Sequence, residues 1–294
     1  MQRRNVQARG PELRWGERTY VMGIINVTPD SFSGDGIALE GRPADEVVQA
    51  AVTQAERFVA AGAQILDVGA ESTRPAAVYG EHPPVGAGAE AERAAPVVAE
   101  LARRFAGRAL VSIDTSKGVV AQAALEAGAT IVNDVWAASR DPGTAEAAAR
   151  HGAHLVLMHN KDRAEYPDGL MAEIIAHLSA ALERAAGLGV SLDRLIVDPG
   201  IGFGKSPAQS IEVLHRLAEL KVLATPILVG TSRKRFIGEI LGGLPPDERL
   251  EGTAASVALA IAAGADAVRV HDVAAVVRTV RVADAIVRHR SQLG

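Results

Sequence analysis

The sequence predicts an α/β fold, a (β/α)8 TIM barrel made as a single domain. Three observations carry this. Eight short apolar runs recur along the 294 residues and alternate with longer, Ala-rich amphipathic stretches, the sign of βαβ units on a parallel sheet. Most of the runs are continuously apolar, as strands buried on both faces require. Four of the amphipathic stretches end in nearly the same phrase just before the next run: Ala61-Gly62-Ala63, Ala127-Gly128-Ala129, His151-Gly152-Ala153 and Ala263-Gly264-Ala265. Each reads as a Gly C-cap followed by a tight turn into a strand. A doubly wound sheet, the runner-up, wants fewer strands and a Gly-rich turn after the first one; here the first run leads into Asn26-Val-Thr-Pro-Asp30.

The predicted strands are Tyr20–Asn26, Ile65–Gly69, Leu110–Asp114, Thr130–Asn133, His154–His159, Leu195–Asp198, Pro226–Gly230 and Ala267–His271. The predicted helices are Asp45–Ala61, Lys117–Ala127, Gly169–Gly187, Pro207–Leu220, Leu250–Ala263 and Val273–Arg290, with polar entries and glycine exits. Ala76–Gly88 is rich in Gly and Pro and reads as a long loop after the second strand. Residues 1–17 read as an N-terminal tail and 18–294 as the barrel, with no linker between them.

Composition narrows the function. The chain is 48% hydrophobic and 22% charged, with 31 Lys+Arg against 35 Asp+Glu, so the basic footprint of a nucleic-acid binder is missing. There is no Cys, which removes disulfides, thiolate metal sites and cysteine nucleophiles together. The longest apolar stretch, Ala254–Ala263, falls short of the roughly 20 residues of a membrane span. Met1–Gly16 is polar and Arg-rich, without the apolar core of a signal peptide. A cytoplasmic enzyme is expected, acting on small molecules rather than on nucleic acid or membranes.

In a barrel, chemistry collects at the C-terminal ends of the strands, and those ends are polar here. They run into Asn26, Glu71-Ser-Thr-Arg74, Asp114-Thr-Ser-Lys117, Asn133-Asp134, Met158-His159, Asp198-Pro199, Thr231-Ser-Arg-Lys234 and Arg269-Val-His-Asp272. One Asp or Asn after a strand is often only a cap; eight polar ends in so apolar a chain are not explained that way. Two of the four asparagines fall there. The groups sort into two sets. Asp114, Asn133 and Asp198 offer acceptors and an amide, with Lys234 as a point donor, and suit the edge of a flat heterocycle; Met158 and Phe203 supply apolar faces. Thr73, Arg74, Ser232, Arg233, Arg269 and His271 suit a phosphate or pyrophosphate, Arg269 and His271 sharing one strand face at i, i+2. Gly200-Ile-Gly-Phe-Gly-Lys-Ser206 imitates a phosphate-binding loop, but Pro199 stands where its first glycine belongs.

At these residues the chain resembles the dihydropteroate synthases. The matching phrases are Asn26-Val-Thr-Pro-Asp-Ser-Phe-Ser33, Asp67-Val-Gly-Ala-Glu-Ser-Thr-Arg-Pro75, Ser112-Ile-Asp-Thr-Ser-Lys117, Asn133-Asp-Val135, Leu157-Met-His159, Asp198-Pro-Gly-Ile-Gly-Phe-Gly-Lys205, Ser232-Arg-Lys234 and Arg269-Val-His-Asp-Val273. They come in family order and span nearly the whole chain. The resemblance implies an enzyme that joins p-aminobenzoate to 6-hydroxymethyl-7,8-dihydropterin pyrophosphate, releasing pyrophosphate. It implies a pterin site at Asp114, Asn133, Val135, Met158, Asp198, Phe203 and Lys234, and a pyrophosphate site at Asn26, Thr73, Arg74, Arg269 and His271. Mg²⁺ is implied at Asn26, and a p-aminobenzoate site, where sulfonamides compete, at Phe32, Pro75 and Ser232. Asp114, Asp198, Lys234, Arg269 and His271 are the residues expected to carry catalysis, and a homodimer is expected. The chain departs from the family pattern at Ser33-Gly-Asp-Gly36, at Ala70 and Ala76 where glycine is usual, and over a long, Pro-rich Val78–Gly88. Asp35 is assigned no role. Two rivals remain at this stage: a methyltetrahydrofolate-type pterin methyltransferase, which would not need the Ser-Arg-Lys and Arg-Val-His groups, and a catalytically silent pterin-binding paralogue.

Overall fold

A computed structural model describes residues 11–28, 43–71 and 85–289. Eight strands, β1 Tyr20–Asn26, β2 Ile65–Gly69, β3 Leu110–Asp114, β4 Ile131–Asp134, β5 His154–Met158, β6 Leu195–Asp198, β7 Leu228–Val229 and β8 Ala267–Val270, pair in parallel. Their order is β6-β5-β4-β3-β2-β1-β8-β7. The two ends of that order meet through a parallel bridge between Val197 and Ile227, where Val197 N donates to the Pro226 carbonyl at 2.9 Å. The sheet is a nearly closed (β/α) barrel, as the sequence predicts.

The Gly-ended phrases do what their chemistry requires. Gly62, Gly128, Gly152 and Gly264 all have positive φ, between 62° and 113°, and each following Ala donates to a carbonyl five residues back, at 2.9 Å. This is the Schellman closure. Within two residues the chain is already bonded to a neighbouring strand, as in Gln64 N to Val21 O and Thr130 N to Val111 O.

The elements differ from expectation in specific places. Helices Ala87–Arg104 and Arg235–Ile240 were not predicted, and Gly143–His151 was anticipated only by its Gly152 cap, without a range. The first takes over the end of the predicted Ala76–Gly88 loop, whose residues 76–84 lie outside the described part. The helix expected to reach Leu220 stops at His215 and continues as the 3-10 turn Leu217–Leu223. β7 is shorter than predicted, because Pro226 has no N–H to pair. The last helix is Val273–Val287 and starts where predicted; the expected end, Arg290, lies outside the described residues. Part of the stretch read as a tail packs on the barrel floor: Leu13 and Trp15 lie against the cluster Tyr20, Met22, Ile65, Leu110, Ile131, Val156, Ile196, Leu228 and Ala267.

Strand parity organises everything above that floor. Val21, Ile25, Leu66, Val68, Val111, Ile113, Leu155, Leu157 and Val268 face outward and join the layer under the helices. The alternate residues face inward. Rising along β2 and β3, the inward positions turn from Ile65 and Leu110 to Asp67 and Ser112, then to Gly69 and Asp114. Register makes Asn26, Gly69, Asp114 and Asn133 one continuous row across four strands, and Met158 pairs with Asp198 beside it. Among the described residues no helix is long and apolar enough to cross a membrane.

Candidate active site

The mouth of the barrel is organised around one guanidinium. Arg269 rises from β8 and donates from Nε to Asp67 Oδ2 at 2.6 Å and from Nη2 to Asp114 Oδ2 at 2.7 Å. Asn133 Nδ2 joins at the same Asp67 oxygen, at 3.2 Å. Asp67 is fully buried and Asp114 nearly so. One cation thus serves two buried carboxylates, and Asp67 Oδ1, Asp114 Oδ1 and Ser112 Oγ are buried without a hydrogen bond. Buried acceptors are costly to leave unsatisfied, so this end of the barrel is built for a ligand that brings donors. Burial pushes the Asp114 carboxyl up to about 7, against the pull of Arg269.

The second acceptor, Asp198, is buried across the mouth and takes Gly200 N on Oδ1 at 2.6 Å. Burial raises its carboxyl as well, and Lys234 is the main charge holding it back. Lys234 Nζ donates to the Ile201 carbonyl and sits 4.4 Å from the centre of the Phe203 ring. Met158, paired with Asp198 across β5 and β6, is buried, and so is Val135, two residues past Asn133. The predicted heterocycle set of Asp114, Asn133, Met158, Asp198, Phe203 and Lys234 therefore converges on one end of the barrel.

The loop after β6 is held by residues that sequence reasoning missed. Lys205 is buried, and its Nζ reaches the Gly200 carbonyl at 3.0 Å, the Phe203 carbonyl at 3.1 Å and His159 Nδ1 at 2.8 Å. Burial drives its pKa well below that of an ordinary lysine. The glycines that imitate a phosphate loop serve close approach instead. Gly200 has φ +67°, and a Cβ there would lie 2.0 Å from the His159 carbonyl oxygen. Asp67 was also missed; its signal is a carboxylate at an inward position of an otherwise apolar strand.

The predicted anion groups separate. His271 Nδ1 lies 3.0 Å from Ser232 Oγ, which also accepts His271 N at 3.1 Å. Arg233 turns away and forms a two-point ion pair with Asp272 at 2.9 and 2.7 Å. Asp134, beside the site residue Asn133, caps its own loop by accepting Trp136 N, Ala138 N and Thr144 Oγ1. Phe32, Asp35, Thr73, Arg74 and Pro75 lie outside the described residues. Among the described residues no group of three or more His, Asp or Glu could hold a metal. Asn26 offers one amide oxygen in the row beside Asp114, a donor that fits Mg²⁺ only when the ion arrives on a phosphate.

Comparison with known proteins agrees with this geometry. Residues 22–271 match the family described as pterin binding enzyme. The dihydropteroate synthase of Synechocystis is 44% identical over 93% of this chain and 92% of its own length. A dihydropteroate synthase from Clostridium difficile, solved in the presence of pteroic acid, superposes with a TM-score of 0.85 at 43% identity, covering 93% of this chain and 98% of that one. The Xanthomonas albilineans dihydropteroate synthase with 4-aminobenzoic acid gives a TM-score of 0.82 at 40% identity, with 92% and 93% covered.

The raised Asp114 carboxyl carries a sign that unfolding can test. Between pH 3.8 and about 7 the folded chain holds a proton at Asp114 that the unfolded chain has released. Stability from this group is therefore full below that window and falls as pH rises through it. Asp114→Asn removes this slope, so its stability relative to the parent rises from pH 5 to pH 7.5 in urea unfolding. A constant difference across that range contradicts the assignment.

The chain belongs to the dihydropteroate synthases of the pterin-binding enzyme family.

Proposed function

We propose that the chain condenses 6-hydroxymethyl-7,8-dihydropterin pyrophosphate with p-aminobenzoate, giving 7,8-dihydropteroate and pyrophosphate, in the cytoplasm. One observation carries the reading: a buried ring of acceptors, Asp114, Asn133 and Asp198, in which Asp114 Oδ1 lacks a donor. The pterin edge supplies donors to Asp114 and Asp198 and accepts from Lys234, while Val135, Met158 and Phe203 line its faces.

The C–O bond to pyrophosphate breaks, and the leaving group takes the electron pair. The methylene becomes a cation delocalised into the ring, which the carboxylates of Asp114 and Asp198 stabilise electrostatically. Arg269, held by Asp67 and Asp114 through Nε and Nη2, meets the departing pyrophosphate together with His271, Asn26, Thr73 and Arg74. Asn26 would be the residue to hold Mg²⁺, and the ion would supply charge neutralisation for the leaving group. The p-aminobenzoate nitrogen, neutral at pH 7, attacks the methylene and passes its proton to water, so no strong general base is required. Phe32, Pro75 and Ser232 hold the p-aminobenzoate, and sulfonamides compete with it there.

A homodimer accompanies this reading. Leu259, Val282 and Ile286 expose 62–70% of their surface on the last two helices, which pack on each other. Apolar surface of this kind marks an interface.

The reaction is tested by pyrophosphate release from the pterin substrate, with and without p-aminobenzoate and Mg²⁺. Release that needs p-aminobenzoate and yields dihydropteroate is expected, and release indifferent to p-aminobenzoate contradicts it. Lys234→Ala weakens pterin affinity on the order of 10-fold or more, a charge-assisted hydrogen bond being worth ~1.5–3 kcal/mol; unchanged affinity removes Lys234 from the pterin site. Light scattering should give twice the chain mass, shifting to one chain in Leu259→Glu/Ile286→Glu. A monomeric parent protein contradicts the dimer.

A further inference from the structure

Two lysines hold the loop after β6. Lys234, half-buried, donates from Nζ to the Ile201 carbonyl and lies near the Phe203 ring. Lys205, buried, donates from Nζ to the Gly200 carbonyl at 3.0 Å and the Phe203 carbonyl at 3.1 Å. Three carbonyls among the four successive residues 200–203 thus accept from lysine. The third bond of Lys205 goes to His159 Nδ1, at 2.8 Å, on the residue that follows β5. An ammonium has no acceptor to offer, so Nδ1 is the acceptor here. Burial and the charge of Lys205 push the His159 pKa far down and keep the imidazole neutral for that role.

The partners of Lys205 are the backbone supports of residues assigned to the pterin. Gly200 N donates to Asp198 Oδ1 at 2.6 Å, and the Gly200 carbonyl also accepts Phe203 N at 3.0 Å. His159 N donates to the Asp198 carbonyl at 2.9 Å, and His159 follows Met158 in the chain. Ser232, the described residue of the p-aminobenzoate site, bonds to His271 instead. The far end of the loop is anchored separately. Tyr166 Oη donates to the Gly204 carbonyl at 2.7 Å, and Ser206 with Gln209 forms a capping box on helix Pro207–His215. Losing the Lys205 bonds therefore loosens residues 200–203 and leaves the next helix tied down. Two carbonyls and an imidazole give the ammonium no carboxylate, which makes it costly to bury, and burial lowers its pKa well below the usual lysine value. An apolar side chain would fill the same space at less cost. What the ammonium adds is direction, because its bonds fix three backbone points at once.

We propose that Lys205, bonded to His159, is a positioning residue that fixes residues 200–203 against the end of β5 and so sets the affinity for the pterin without touching it. The inference rests on the proposed reaction, in which Met158, Asp198 and Phe203 hold the pterin. It gives a role to His159 and to the lysine of the glycine-rich phrase, neither of which the reaction itself uses.

The test is calorimetric titration of the full chain and of Lys205→Met, His159→Leu and His159→Asn with 6-hydroxymethylpterin. The KM for p-aminobenzoate is measured beside it at saturating pterin pyrophosphate. Lys205→Met and His159→Leu should raise the pterin Kd on the order of 10-fold, the scale of a lost hydrogen bond to a charged group, while that KM stays within about 2-fold. His159→Asn, whose amide oxygen accepts in place of Nδ1, should recover part of the affinity. If Lys205→Met does not fold, the two His159 variants decide. A lowered Tm with an unchanged pterin Kd shows a merely structural tie and overturns the proposal. An equal rise in the KM for p-aminobenzoate overturns it too, as does an asparagine no better than leucine. A parent chain that binds the pterin without turnover contradicts the proposed reaction, and the Kd values still decide the role of Lys205.

Discussion

The site depends on one buried cation shared by two carboxylates. Without Arg269, Asp67 and Asp114 would place two charges in the dry upper part of the barrel, an arrangement too costly to persist. With it, each carboxylate is held by one oxygen and has the other left without a donor. The same pairing that neutralises the buried carboxylates leaves them short of donors, and a donor-rich heterocycle meets that shortage. Stability and ligand choice are here consequences of one electrostatic arrangement.

A geometric constraint puts that arrangement where it works. Successive residues of a strand face opposite ways, so an apolar floor and a polar mouth can share a strand without disturbing the helical layer outside. Tyr20, Met22 and Ile65 close the floor, and Asn26, Gly69, Asp114 and Asn133 form one row above it. The loop after β6 closes the other side, with Lys205 and His159 binding it to the end of β5. The glycines of that loop are required because the two backbones nearly touch.

Much of this was legible in the sequence because the signals are local. Four strands, Tyr20–Asn26, Ile65–Gly69, Leu110–Asp114 and Leu195–Asp198, and the starts of His154–Met158 and Ala267–Val270 follow from apolar runs entered through glycine caps or polar turns. The strand-end acceptors follow from parity. What escaped is non-local or disguised. Helix Ala87–Arg104 begins beside Gly86 and Gly88 and contains Pro96, residues that signal a loop. Asp67 lies 202 positions from the arginine that explains it, and no spacing rule connects them. Lys205 looked like part of a rejected phosphate loop; only the fold shows that it is a buried tie. Arg233, grouped by charge with the anion set, is taken by Asp272.

The central claim is that burial keeps the Asp114 carboxyl protonated and that it becomes charged when the pterin supplies donors. Calorimetric titration with pterin at pH 6.5, in two buffers of different ionisation enthalpy, counts the protons exchanged on binding. The account predicts net release approaching one proton, diminishing above pH 7 and absent in Asp114→Asn. Binding with no proton exchange, or with uptake, would mean that Asp114 is already ionised before the ligand arrives, held so by Arg269, and the claim that burial keeps its proton would fail.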